Sequence, residues 1–366
     1  MNLSRNKITL GIVLIVIACA IWYLDSLKAK PVGSGNVVTV QSSPVGNTDR
    51  SAIIAQKSAK YKKAVEINNP SGFINTDPFK IQDLIGKKVI LIDFWTYSCI
   101  NCQRTLPYVT SWYNKYKDDG LVVIGVHTPE FEFEHDINNV TAATKKFGVK
   151  YPVVLDNNYG TWSAYQNQYW PAEYLIDIDG FITHTHFGEG DYDVTEKAIQ
   201  DALAERAQVL GEKTAVPTDM VNPNDVTTVN SQQLGSPETY FGSARNQYLG
   251  NGTSGKAGVQ NFTQPQPVNP NTLYLAGNWN IADQYAQNTE AGASISYKYQ
   301  AKNVYFVAGS DTPVQITVIQ DGKQLKTITV QQHTLYNLVE NADYGQHNLQ
   351  LLIQSPNLQA FTFTFG

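Results

Sequence analysis

Two runs in the first half of the chain, Lys88–Phe94 (KVILIDF) and Leu121–His127 (LVVIGVH), are almost continuously apolar and rich in β-branched residues. Strict alternation would mark a strand with one wet face; unbroken runs suit strands covered on both faces. Between them, Cys102–Asp119 has helical length and composition and stops at Gly120. Asp136–Phe147 and Val194–Leu210 read as further helices, and Tyr174–Asp177 with Phe181–His186 as a hairpin around Asp179-Gly180. Strands alternating with helices over residues 58–212 predict a three-layer α/β domain.

The pattern changes after Gly211. Residues 213–233, with Pro217 and Pro223, read as a linker. Residues 234–366 are poor in charge and rich in Asn and Gln. They carry short strand-like runs, including Ser294–Tyr299, Asn303–Val307, Val314–Gln320 and Phe361–Phe365. That spacing predicts an all-β sandwich, jelly-roll-like in class. At the other end, Ile8–Leu24 is uncharged, mostly apolar and just long enough to span a bilayer as a helix. Arg5 and Lys7 precede it and Asp25 closes it, so residues 1–30 are expected to anchor an exported protein to a membrane. Val16-Ile17-Ala18-Cys19 also fits a bacterial lipobox with Cys19 lipidated, which would tether the chain equally well. Residues 31–57 lack helical periodicity and read as a spacer.

A net charge of −5 without a long basic run argues against nucleic acid as a partner, and 42% hydrophobic residues exclude global disorder. Of three cysteines, two form Cys99-Ile100-Asn101-Cys102, placed where a strand ends and a helix begins. The unpaired N–H groups and positive potential of a helix start stabilise a thiolate. Cys99 would then attack a substrate disulfide and Cys102 resolve the mixed disulfide. A zinc site would need two further ligands, and a structural disulfide closing so short a loop adds little stability. The spacing therefore favours redox chemistry with no metal and no cofactor.

The string Ile92-Asp93-Phe94-Trp95, then Cys99-x-x-Cys102 with Pro107 beyond, resembles the thioredoxin signature. Phe94 to Pro107 as a whole, with Gly188-Glu189-Gly190-Asp191-Tyr192 and Ser236-Pro237-Glu238-Thr239-Tyr240, is similar to exported TlpA/DipZ-type proteins. In the DipZ type a carbohydrate-binding-module-like sandwich follows the thioredoxin-like domain. The resemblance covers about residues 60–366. It implies that Asp93 is the buried acid that takes the proton of Cys102, and that Pro107 kinks the helix. It further implies that Pro171 is a cis-proline facing the disulfide, with Trp95 and Trp170 in the substrate groove. Disulfide-bearing envelope proteins, apocytochrome c among them, are the implied substrates. The multi-span membrane domain of full DipZ proteins is not seen, so the resemblance also implies a separate membrane electron donor of the DsbD/CcdA type.

Other candidates are secondary. Glu130 and His127 follow a central strand; Glu130 is a candidate proton relay and otherwise a solvated loop acid. His184 and His186 share one strand face without the extra ligands a metal needs. Arg104 is either an electrostatic aid to the thiolate or an exposed helix charge. Among Tyr274, Trp279, Tyr285, Tyr297 and Tyr299, Trp279 is the first candidate for stacking on a sugar ring. Two alternative functions stay open: an envelope glycan-binding protein with a thioredoxin-like platform, and a thiol peroxidase.

Overall fold

A computed structural model describes residues 47–366 except 214, 225 and 264–266. The Ile8–Leu24 run, Cys19 and residues 31–46 of the expected spacer lie outside the described residues. Among the described residues no helix is long and apolar enough to cross a membrane.

The first sheet has six strands: β1 (Gly72–Ile74), β2 (Val89–Trp95), β3 (Leu121–His127), β4 (Val153–Leu155), β5 (Ala172–Ile176) and β6 (Ile182–Phe187). Their order is β1-β4-β3-β2-β5-β6, with β2 parallel to β3 and antiparallel to β5. Every residue of β2 is buried, because its alternate side chains enter two different cores. Leu91 and Trp95 pack beneath helices α2 (Ile100–Tyr116), α3 (Ile137–Lys146) and α5 (Tyr192–Leu210). Ile92 and Phe94 pack beneath residues 64–85 and the short α4 (Gly160–Ala164). The unbroken apolar run is thus the trace of a sheet with no wet face.

The spacer expectation is corrected where the chain is described. Asn47–Lys60 forms helix α1. It has no broad apolar stripe; it is held by charge. Arg50 pairs with Asp179 (2.5 Å) and Glu205 (2.8 Å), and Lys57 with Asp177 (2.6 Å), Asp179 (2.8 Å) and Glu205 (2.5 Å). Hydrophobic periodicity is blind to such a helix. The expected linker is also partly docked: Val216 and Val221 join the core under α2 and α5, and the Val221 N–H donates to Glu196 at 2.8 Å.

Residues 239–365 form one continuous nine-stranded sheet, β7 (Thr239–Tyr240) to β15 (Gln359–Phe365). It folds back on itself because β11 (Ser294–Gly309) and β14 (Thr334–Ile353) are long and pass through register shifts near Ala301–Asn303. The first half of β11 pairs with β9 (Leu273–Ile281) and the second half with β15. Since β10 (Ala286–Asn288) joins β9 to β15, these four strands close a ring around an apolar core. Trp279 sits in that core, 0% exposed, its indole N–H donating to the Ala276 carbonyl at 3.0 Å. Tyr274, Tyr297 and Tyr299 are buried too. The expectation that Trp279 stacks on a sugar is therefore overturned: β9 turns its 273, 275, 279 and 281 side chains inward.

The described residues from Asn47 to Gly366 pack as a single unit. Phe131 from the α/β half is buried with Val307 and Phe361 from the β half, flanked by Phe133, Tyr240, Tyr285 and Leu335.

Candidate active site

Cys99 has extended backbone (φ −76°, ψ 120°) and caps α2; its sulfur accepts the Cys102 N–H at 3.4 Å. Both thiols are free. Their positions differ: Cys99 is half-buried and lines a cavity, whereas Cys102 is 1% exposed. Burial, then the neighbouring Cys99 sulfur, pushes the Cys102 thiol well above its ordinary pKa. Cys102 is thus stored as a thiol and must lose its proton when it attacks.

Asp93 lies beneath Cys102 near the C-terminal end of β2, 1% exposed and with neither oxygen hydrogen-bonded. Burial pushes its carboxyl up to about 7. Opposite it on β5 stands Glu173, equally buried and without a hydrogen bond of normal geometry, pushed up to about 8 by burial and by Asp93 against the opposing effect of the nearby Thr195 hydroxyl.

The loop before Cys99 is held from behind. The Glu134 carboxylate accepts from the Ser98 N–H (3.2 Å), the Ser98 hydroxyl (2.6 Å) and the Glu130 and Phe131 N–H groups (2.6 and 3.0 Å). His127 is buried beside it, and its Nε2 accepts the Tyr97 N–H at 3.3 Å. Burial drives this imidazole down to about 3, so it is neutral and serves as an acceptor. Arg104 is not an exposed helix charge. It is 5% exposed, clasped by Glu189 at 2.6 and 2.9 Å, and it donates to Asn101 Oδ1 at 2.6 Å.

The cavity in front of Cys99 measures about 270 Å³. One wall carries Ser98, Asn101, Glu130 and Trp170; the other carries Glu238, Tyr240, Arg245, Val307, Thr362 and Thr364 from the β half. Glu130 ties the walls together, accepting from the Tyr240 hydroxyl at 2.8 Å and pairing with Arg245 at 2.7 Å. Burial and the Glu130 charge raise the Glu238 carboxyl to about 7, although its side chain keeps an exposed face where water screens that effect. Both halves of the described chain thus line one cavity in front of Cys99.

Among the sequence candidates, Cys99, Trp170 and Glu130 meet at this cavity, with Cys102 and Asp93 stacked behind it. The Trp170–Pro171 peptide is cis. Trp95 is fully buried in the core and lines no groove, because β2 points it beneath α2. Trp279 lies apart from the cavity. Sequence reading missed Glu173, Glu134, Tyr240 and Arg245. The Ser236–Tyr240 string was the one local signal for the last pair.

Residues 62–185 match the AhpC/TSA family, and residues 236–366 match the thioredoxin like C-terminal domain. Over 335 residues the chain is 38% identical to Protein DipZ of Mycobacterium tuberculosis, across 91% of this chain and 46% of that protein. The chain thus spans about half the length of those relatives. It is 31% identical over 140 residues to the thiol-disulfide oxidoreductase YkuV of Bacillus subtilis, across 38% of this chain and 93% of that protein. A solution structure of a thioredoxin-like protein in the oxidised form aligns at 29% identity with TM-score 0.37, over 40% of this chain and 97% of that one. With these sequence matches, and a strand–Cys-x-x-Cys–helix site above a buried aspartate, the chain belongs to the thioredoxin-like thiol–disulfide oxidoreductases of the TlpA/DipZ type.

Proposed function

We propose that the chain reduces disulfides of cell-envelope proteins, with Cys99 attacking and Cys102 resolving. The supporting observation is the asymmetry of the pair: Cys99 opens onto a cavity while Cys102 is sealed above Asp93. Cys99 thiolate attacks one sulfur of the substrate disulfide, forming a mixed disulfide and releasing the other substrate sulfur as a thiolate. Cys102 then gives its proton to Asp93 and attacks the Cys99 sulfur. The second substrate thiolate leaves, and a Cys99–Cys102 disulfide remains. Two electrons from a membrane dithiol protein of the DsbD/CcdA type restore the dithiol. The apolar run 8–24 would hold the chain at the membrane that houses that donor. Apocytochrome c is one substrate of the right chemistry.

A Cys102→Ser variant should accumulate mixed disulfides through Cys99 with envelope proteins. Alkylation of the reduced native protein that modifies Cys102 before Cys99 would overturn the assignment.

A further inference from the structure

The proton that leaves Cys102 arrives at a carboxyl with no contact to solvent, so it needs a way out. Three neighbouring strands supply one on a single face. Asp93 on β2 faces Glu173 on β5, and Glu173 faces His186 on β6, the edge strand of the sheet. Residues directly opposite in adjacent strands point the same way, with Cβ atoms about 5 Å apart. All four carboxyl oxygens of the row, and Nε2 of His186, are buried without a hydrogen bond of normal geometry. Asp93 and Glu173 are 1% exposed; His186 is half-buried.

We propose that Asp93, Glu173 and His186 form a cross-strand proton row that carries the Cys102 proton to the edge of the sheet. The proposal rests on Cys102 as the resolving thiol. Two buried carboxyls side by side cannot both ionise, so they hold one proton between them. Glu173 holds it, which leaves Asp93 ionised and ready. When Cys102 attacks, its S–H proton passes to Asp93 and the freed electron pair forms the bond to Cys99. The proton of Glu173 moves to His186 and that of Asp93 to Glu173. His186 then releases a proton to water, and the departing substrate thiolate takes up another from solvent. Thiols and disulfides balance, and no further reactant is needed.

The groups facing the row are few. Helix α2 presents Cys102, and the segment before β4 presents Tyr151. Helix α5 presents Tyr192 and Thr195, and β6 adds His184, whose ring is hydrogen-bonded to Thr195 at 3.1 Å. None of these is a Lys or Arg. The upward shifts of both carboxyls agree with a retained proton. In this scheme Glu173 and His186 are positioning and relay residues that act through Asp93.

The test follows the resolving step alone. The full chain is loaded at Cys99 with a chromogenic thiol, and release of that thiol is timed from roughly pH 5 to 9, a range that brackets the two carboxyls. The native profile should show two inflections. Glu173→Gln should reduce them to one and slow release about tenfold near neutral pH, within the range of a proton-transfer contribution. His186→Gln should slow release by a similar factor and be rescued by added imidazole, which loss of packing alone would not allow. Profiles of both variants superimposable on the native one, with loading at Cys99 intact, would overturn the row and leave the cysteine assignment standing. Failure of Cys99 to load would instead sink the cysteine assignment. If Glu173→Gln does not fold, infrared spectra of the native reduced protein decide: a protonated carboxyl at neutral pH is expected, and its absence overturns the row.

Discussion

Asp93 and Glu173 are carboxyls without a cation, and their raised pKa values make a thermodynamic statement. Below about pH 7 the folded pair holds a second proton, on Asp93, that the unfolded chain sheds near pH 4; above it only the proton on Glu173 is kept. Folded protein therefore binds more protons than unfolded protein between about pH 4 and 7, and stability falls as pH rises through that window. Asp93→Asn should become more stable than the native protein as pH rises, by at most about 1.4 kcal/mol per pH unit. Urea unfolding at acid and alkaline pH measures this; a constant difference would contradict it. His127 works in the opposite sense: kept neutral in the fold, it takes stability away as pH falls from about 6.5 toward 3. The places of the cysteines and Asp93 were legible in the sequence: the cysteines from a local strand–turn–helix string, the burial of Asp93 from the resemblance that string carries. Glu173 was not, because its importance comes from strand register, which brings residue 173 beside residue 93. Trp279 failed for a related reason: composition does not tell which face of a strand is dry.

At the scale of elements, β2, β3, the β5–β6 hairpin and helices α2, α3 and α5 all lie where periodicity predicts, within a few residues at their ends. The failure is α1, whose holding force is a cluster of ion pairs with no periodic signature. That origin has a consequence. Amide exchange in α1 should accelerate in roughly 1 M salt, where the screening length is only ~3 Å, while exchange in β2 stays unchanged. Equal protection of α1 at both salt concentrations would argue for a different anchor. The loop before Cys99 and the turn at Glu132–His135 form a second element-level unit, joined by two hydrogen bonds from Ser98 to Glu134, whose carboxylate also accepts from the Glu130 and Phe131 N–H groups. Glu134→Ala should cost about 2–4 kcal/mol by leaving buried N–H groups unpaired. It should also slow attack by Cys99, with Glu134→Gln intermediate. A melting temperature unchanged in Glu134→Ala would refute this.

For the molecule as a whole, two sheets were legible but their relation was not. The interface is made by Phe131, Phe133, Val307 and Phe361, which nothing in their local sequences distinguishes from ordinary core residues. Because Tyr240 and Arg245 form a wall of the cavity before Cys99, they limit what reaches the sulfur. Tyr240→Ala should widen that cavity. The kcat/KM for a bulky protein disulfide should then rise relative to a small one such as cystine. An unchanged ratio would mean that the wall does not select. Cutting the chain after the linker should lower the melting temperature of the remaining α/β half, since Phe131 and Phe133 would then meet water.

The pairing of β7 with β15, and the hydrogen bond from Thr362 to Thr239 across 123 residues of chain, carries a temporal consequence. Contacts so distant in sequence form late, because a long loop must close before they are rewarded. Thr362 and Thr364, on β15, complete the wall in front of Cys99. A newborn chain therefore passes through an interval in which its most reactive sulfur already sits on a folded helix while the screen before it is still missing. During that interval the thiol is open to any oxidant it meets, and selectivity follows reactivity in time.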